Sequence, residues 1–352
     1  MKVDGNSPSF WRDGEFHFMT STGKPVIAGG PSQLEFSWVA PVAVQTSRSS
    51  IWFESAWVDS DGTVYAWYHH EPGGLCLGSD LSEPQIGAAV SYDGGRTFFD
   101  LGLILTSGDP LDCSARNGFF AGGHGDFSVI LDREGSYFYF LFTNYGGPLA
   151  GQGVAMARLA FEDRTNPTGV VQKYFDGGWT EPGLGGRVTP VLPTRVAWQR
   201  SDADSFWGPA IHWNTHLESY VVVMNHACCA PGWPQDGIHA SFNADLSDPR
   251  GWSPPEEILW HIGFAPGFYP QVMGMGPGET DTVAGQKARL FIQGRSRWEI
   301  VFGRTDEMPD VEEETPPQVE LIPREDLSAS PASQSTETRA PHNRRRRPHT
   351  RK

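Results

Sequence analysis

The sequence predicts an all-β protein: a five-bladed β-propeller of four-stranded antiparallel blades, followed by a disordered C-terminal tail. Three observations predict it. Gly (41), Pro (28) and Trp (13) are abundant in the 352 residues, and long Ala/Leu/Glu/Lys runs are missing. Turns consume Gly and Pro, while pleated strands favour aromatic and β-branched residues. A hairpin pattern recurs along the chain, and a second hairpin follows each occurrence. Hairpin plus hairpin makes one four-stranded unit.

The first unit opens with "FWRDGEFHFMTS" (Phe10–Ser21). The pattern returns in "AWVDSDGTVYAWYHH" (Ala56–His70), "FSVILDREGSYFYFLFTN" (Phe127–Asn144) and "PAIHWNTHLESYVVVMNH" (Pro209–His226). After these come "IGAAVSYDGGRTFFDLGLIL", "GVAMARLAFED" and "GIHASFNADLSDPRGWSPPEEIL", each a small-residue strand, a polar turn and an aromatic. The fifth unit, "YPQVMGMG…QKARLFIQGRSRWEIVF", is the least regular. Units begin near residues 8, 51, 124, 205 and 266, a spacing of about 60 residues that suits propeller blades with long connections. A β-sandwich or jelly roll would explain the strand content but not the repeating order. Closing the ring also removes exposed sheet edges.

The propeller is read as residues 1–304. Beyond Arg304 the chain has almost no aromatics and mixes acidic, Ser/Pro-rich and basic blocks up to "RRRRPHTRK". Such a segment buries too little apolar surface to offset its ordering entropy, so 305–352 is expected to be a disordered tail.

The net charge of −15 speaks against a nucleic-acid surface on the body, because phosphate binding needs clustered Lys and Arg. No apolar run is long enough to span a membrane. "MKVDGNSPSF" has no apolar leader region, which makes a cytoplasmic location the expectation. The four cysteines, Cys76, Cys113, Cys228 and Cys229, form no C-x-x-C pair, so neither a zinc knuckle nor a thioredoxin motif is indicated. Free buried thiols are expected, with a Cys76–Cys113 disulfide as the alternative in an exported protein.

"SYDGGRTF" (Ser91–Phe98) has the spacing S-x-D-x-G-x-T-[FW] and resembles the Asp-box turn of sialidases. In that turn Asp and Ser bond backbone amides and the aromatic packs beneath the hairpin. "FNADLSDPRGW" (Phe242–Trp252) takes the same place in its unit without the full motif. The paired hairpins of the third and fourth units resemble blades of five-bladed glycosidases, the arabinanase, β-xylosidase and levansucrase-like superfamily. The resemblance implies an acidic residue at the start of several innermost strands, so that carboxylates converge at the axis. Glycoside hydrolysis needs such a pair, one to protonate the leaving oxygen and one to activate water or attack.

On that resemblance Asp126 of "GHGDFSV" matches the blade-start acid and is the expected base or nucleophile-side carboxylate. Glu54 of "WFESAW" falls one residue off, which reverses its face unless a bulge intervenes. In the fourth unit Trp207, Gly208 and Pro209 stand where the resemblance implies the acid. Acid chemistry is therefore sought in Glu54 or in Glu71 of "YHHEPGG" (Tyr68–Gly74). On a strand His69 and Glu71 share one face while His70 points to the other.

His69, His70, His124 and His226 are further candidates for a substrate pocket, and Gln271 for a sugar hydroxyl. Trp52 and Trp207 are candidates for a stacking platform. Arg295 and Arg297, on one strand face, could hold a carboxylate. No ligand spacing marks a metal site, so neither metal nor cofactor is expected. The sequence thus leads to a carbohydrate-directed, glycosidase-like propeller. The alternatives are a non-catalytic sugar-binding propeller and a metal-assisted enzyme using the His-rich pocket.

Overall fold

The computed structural model describes residues 3–260, 267–304 and 318–323, and they form a five-bladed β-propeller. The innermost strands are Ser9–Arg12, Ile51–Val58, His124–Leu131, Ser205–Asn214 and Pro270–Gly274, close to the starts that the repeats predict. Each is followed outward by its next three strands in sequence order. Two short parallel strands add to this plan: Ala43–Gln45 at the outer edge of blade two, and Val283–Ala284, from the blade-five segment, beside the end of Ser205–Asn214. No α-helix occurs among the described residues, only two short 3-10 turns at Leu149–Gly151 and Phe161–Thr165.

A blade is apolar on both faces, because each face packs on a neighbouring blade. The strands therefore read as continuous apolar runs rather than clean alternations. Tyr137–Asn144 sends Phe138, Phe140 and Phe142 toward blade two, against Trp67 and Ile86. Its alternate residues Tyr139 and Leu141 pack toward blade four, against Ile211 and Val222. Similar apolar clusters join blade one to two and blade four to five. Burying each large side chain contributes roughly 1.5–3 kcal/mol.

The closure between blades five and one is polar instead. Ser9 donates to Asp281 from its backbone N–H (2.8 Å) and its hydroxyl (2.7 Å). Trp11 Nε1 donates to the Glu279 carbonyl at 2.9 Å. Gln271 brackets Ser7, accepting from its N–H at 3.0 Å and donating to its carbonyl at 2.9 Å. The ring is thus shut by hydrogen bonds that the N-terminal segment makes to blade five.

Two expectations are corrected. The boundary at 304 falls inside blade five, because Gln318–Pro323 pairs with Arg295–Gly303 as its fourth strand. Val319 and Leu321 put enough apolar surface on one face to join the blade-five core, which the acidic and Pro-rich surroundings obscure. The rest of the expected tail lies outside the described residues. The cysteines are not free thiols: Cys76 bonds Cys113 across a Cα–Cα distance of 5.4 Å, and Cys228 bonds Cys229. The first pair lies in loops remote in sequence that the top of the propeller brings together.

In the Ser91–Phe98 turn, Asp93 Oδ1 accepts from the Arg96 and Thr97 amides (3.1 and 2.8 Å) and Ser91 Oγ from that of Gly95 (2.9 Å). Phe98 is buried against Phe53, ring centroids 4.6 Å apart. The turn joins the third and fourth strands of blade two, at the opposite end from the inner-strand starts.

Candidate active site

Three inner strands carry an irregularity at the same height. In blade two, Phe53 pairs with Tyr68 and Ser55 with Trp67, leaving Glu54 as the extra residue of a bulge. In blade three Asp126 is skipped in the same way between Gly125 and Phe127. Its φ of +41° is a backbone region that non-glycine residues seldom occupy. A bulge turns its extra side chain out of the alternating pattern, and here it sends both carboxylates to the axis. Blade four keeps the bulge between Trp207 and Ala210, with Gly208 and Pro209 opposite one partner residue. Gly208 has φ +61°, so the backbone device persists where no acid is present.

The two carboxylates meet around His69, at the end of blade two's second strand. Its Nδ1 lies 3.1 Å from Glu54 Oε1 and 3.9 Å from Asp126 Oδ1, and its Nε2 lies 3.3 Å from Glu71 Oε1. One imidazole therefore stands among three acids. Ser82 donates to the other oxygen of Glu71 at 3.2 Å. His70 points to the other face, with its Nδ1 near the Ser50 carbonyl at 3.4 Å.

Glu54 is enclosed. Its side chain is fully buried, and Oε2 accepts from the Phe127 amide at 2.8 Å. The N-terminal segment lies directly over it: a Cβ at Gly5 would come within 2.6 Å of Glu54 Oε1, so only glycine fits. Next to it Asn6 donates to the carbonyls of Phe127 (2.9 Å) and Pro209 (2.8 Å), tying blades three and four at the axis. Asp126 is likewise buried, and Oδ2 accepts from the hydroxyl of Tyr145. Tyr145 is held in an aromatic cluster with Phe120, Trp198 and Trp233, at centroid distances of 4.5, 5.1 and 6.2 Å. Glu71 differs from both in keeping 31% of its side chain exposed.

Burial pushes Glu54 up to about 7, against the opposing pull of His69 and the Phe127 amide. Burial alone would lower His69, but the hydrogen bond and charge of Glu54, with Asp126 and Glu71, outweigh it and raise it to about 9. Asp126 is also raised, by burial, with His69 and the Tyr145 hydrogen bond opposing. The cluster consequently retains protons that the same groups would release in water. Glu54, His69 and Asp126 also offer ligand atoms within 4.8 Å of one another. As arranged, Nδ1 faces Glu54 Oε1 at hydrogen-bond distance.

The remaining candidates divide into wall and scaffold. Trp52 meets His69 edge-on at 5.9 Å. Trp207 is buried beside the Tyr145 cluster and packs on Phe268 and Tyr269, both at 5.6 Å. His124 is turned away from the axis toward Lys173, whose Nζ is 2.9 Å from its Nε2 and also donates to the Thr106 and Gly186 carbonyls. His226 sits between Asp204 (2.9 Å) and Asp236 (2.8 Å) at the end of blade four's second strand. Gln271 is occupied in ring closure. Arg295 and Arg297 are exposed on blade five's third strand, outside the His69 cluster.

Three residues of the site escape a reading of the sequence. Tyr145 follows the strand whose partner carries Asp126, but nothing in "FTNY" marks it as a carboxylate partner. Tyr269, just before blade five's inner strand, has φ +57°, and burial, with the charges of Asp126, Asp4 and Glu54, raises its phenol well above the usual value. Asp4 is exposed and its charge acts on Asp126 and Tyr269. The rule that an acid precedes an inner strand, applied to "VDGNSPSF", would have indicated it.

No protein-family model matches the chain, and no curated protein matches it in sequence. Solved structures share its fold. A thermostable family-43 glycoside hydrolase superposes with a TM-score of 0.51 at 12% identity, covering 93% of this chain and 91% of that one. A putative exo-β-1,3-galactanase from Bifidobacterium bifidum s17 gives 0.50 at 12% identity, with 93% of each chain covered. An α-L-arabinofuranosidase from Lactobacillus brevis gives 0.50 at 12% identity, covering 92% and 91%. The fold is that of the family-43 glycoside hydrolases. At these identities the likeness is one of architecture, and the chemistry must be argued from the site itself.

Proposed function

We propose that the protein is a glycoside hydrolase acting on a neutral carbohydrate at the axial end where Glu54, His69, Glu71 and Asp126 meet. The observation that carries the reading is the bulge pair: two blades place an acid at the same height and aim it at one imidazole. Glu71, the accessible carboxylate, serves as the acid, giving its proton to the leaving glycosidic oxygen. Asp126 serves as the base-side carboxylate through Oδ1, the oxygen that Tyr145 leaves open, and draws a proton from the attacking water. Glu54 holds His69 in orientation and fixes the start of blade three through the Phe127 amide. It does not itself reach the sugar. Trp52 and Trp207 line the approach.

The test is turnover of 4-nitrophenyl α-L-arabinofuranoside, β-D-xyloside and β-D-galactoside, with arabinan, xylan and β-1,3-galactan as polymers, by wild type and Asp126→Asn. Loss of 10²-fold or more in kcat is expected. Undiminished turnover in the variant would sink the assignment. A second reading, a propeller that binds sugar without cleaving it, is favoured by Gly208 at the fourth-blade bulge. Binding of these polymers with no product from any substrate would decide for it.

A further inference from the structure

At the end of the propeller opposite the Asp126 site, a cleft of about 660 Å³ opens between blades three and four. It lies beneath the 132–136 hairpin of blade three and the 244–247 turn of blade four. The inner strand running from Asp126 to Leu131 separates it from the candidate active site by about 17 Å at the rise of a β-strand. Its volume falls within the range of small-molecule sites, roughly 300–1,000 Å³.

The lining is both aromatic and charged, and its groups are held in place. Arg158 lies over Tyr137 at 4.4 Å and over Trp179 at 5.0 Å, and its Nε and one terminal nitrogen donate to Gln172 Oε1 (3.3 and 3.1 Å). Arg133 lies over Trp213 at 5.0 Å, while its backbone N–H donates to the Tyr220 hydroxyl at 3.1 Å. Asp245 accepts from the Ser247 amide through Oδ1 at 2.8 Å. Two arginines face three acids, Asp132, Glu134 and Asp245. That near-balance disfavours a polyanion and leaves paired donors and acceptors for hydroxyl groups. Tyr137 and Trp213 supply aromatic surface for the C–H faces of sugar rings.

We propose that this cleft is a second carbohydrate-binding site, taking a short neutral oligosaccharide independently of the axial site. Rigid aromatic and guanidinium groups lose little freedom on binding, which is what a pre-formed site requires. The cleft would hold a polymer on the face away from catalysis and keep the enzyme on its substrate, an avidity effect without new contacts at the axis.

The experiment is electrophoresis in native gels containing arabinan, xylan or β-1,3-galactan, with wild type, Asp126→Asn, Tyr137→Ala and Asp245→Ala. Melting temperatures serve as a check of folding. At least one polymer is expected to retard wild type and Asp126→Asn equally. Tyr137→Ala and Asp245→Ala, with melting temperatures near wild type, are expected to bind it at least ~10-fold more weakly. Asp245 is exposed, so that variant keeps the test open if loss of Tyr137 disturbs the fold. The proposal is overturned by no retardation in any gel, by both variants behaving as wild type, or by retardation lost in Asp126→Asn. Loss of hydrolysis in Asp126→Asn with retardation kept separates this site from the axial one.

Discussion

Glu54 and Asp126 are the unpaired residues of matching bulges on adjacent inner strands, and both face the same imidazole. Without the bulge, Glu54 would project with the residues that pack between blades. A buried carboxylate there would have no partner and would cost several kcal/mol. With it, the acid gains His69 and the Phe127 amide, and the two blades are joined through their functional groups.

This pairing sets the pH dependence of stability. His69 rises to about 9 from an ordinary 6.5, so its contribution is complete below pH 6.5 and is lost as pH climbs through 9. Glu54 rises to about 7, so the folded state also holds this proton more tightly than the unfolded chain, and ionising it between pH 4.5 and 7 is unfavourable. Both effects have one sign. The melting temperature is expected to fall between pH 6 and 9, a loss on the order of 4 kcal/mol, and Glu54→Gln to flatten that slope. Calorimetric scans across the range would show it. A melting temperature that rises with pH contradicts the pairing.

Tyr145 should tune the reaction without touching its substrate. Its hydroxyl donates to Asp126 and favours the charged form, so Tyr145→Phe raises the carboxyl further. The acidic limb of the kcat/KM profile is expected to move up by roughly 1 pH unit, since a hydrogen bond to a charged group contributes about 1.5–3 kcal/mol. A variant that lost rate equally at every pH would assign Tyr145 to packing alone.

The fold was readable in the sequence because propeller blades repeat. Hairpin pairs at 10–21, 56–70, 127–144 and 209–226 set four of the five blades close to their observed starts, whereas blade five, with its irregular hairpins, hid its last strand beyond an acidic stretch. The facing of His69 and Glu71 followed from strand alternation. Glu54 was ambiguous because a bulge leaves no signature in residue type, and Gln271 looked like a sugar ligand because ring closure is a long-range event. Tyr145 carries no mark in residue type, Tyr269 reaches the site only through the closed ring, and Asp4 is the one of the three that the rule of an acid before an inner strand would have indicated.

The closure itself should be a weak point. Replacing Asp281 with Ala leaves the Ser9 N–H and hydroxyl without their acceptor in a buried interface. Each unsatisfied group costs about 1–3 kcal/mol, so Asp281→Ala is expected to lower stability by about 2–6 kcal/mol. Denaturant titration measures this directly. The Cys76–Cys113 bond closes a loop with a sequence separation of 37, for which chain entropy gives about 3–4 kcal/mol. Cys76→Ser/Cys113→Ser should lose up to that amount.

Asn225 offers the sharpest test of what the fourth blade contributes. It pairs with Trp207 beside the bulge, is fully buried, and neither its amide nitrogen nor its oxygen has a hydrogen-bond partner among the described residues. A Cβ on Gly208 would lie 3.0 Å from that nitrogen and 3.9 Å from the Tyr269 ring, so the amide borders the place where a fourth-blade acid would stand. An unpartnered buried amide is unfavourable, and exchanging it for an apolar group of similar shape is neutral or stabilising. Asn225→Leu is therefore expected to raise stability by up to about 1–2 kcal/mol. If the amide is retained to meet a sugar hydroxyl entering beside Gly208, the same variant raises KM on the substrate that wild type cleaves. Stability and substrate affinity would then move in opposite directions, which a residue kept for packing alone cannot produce. A melting curve and a Michaelis profile on one purified variant measure both.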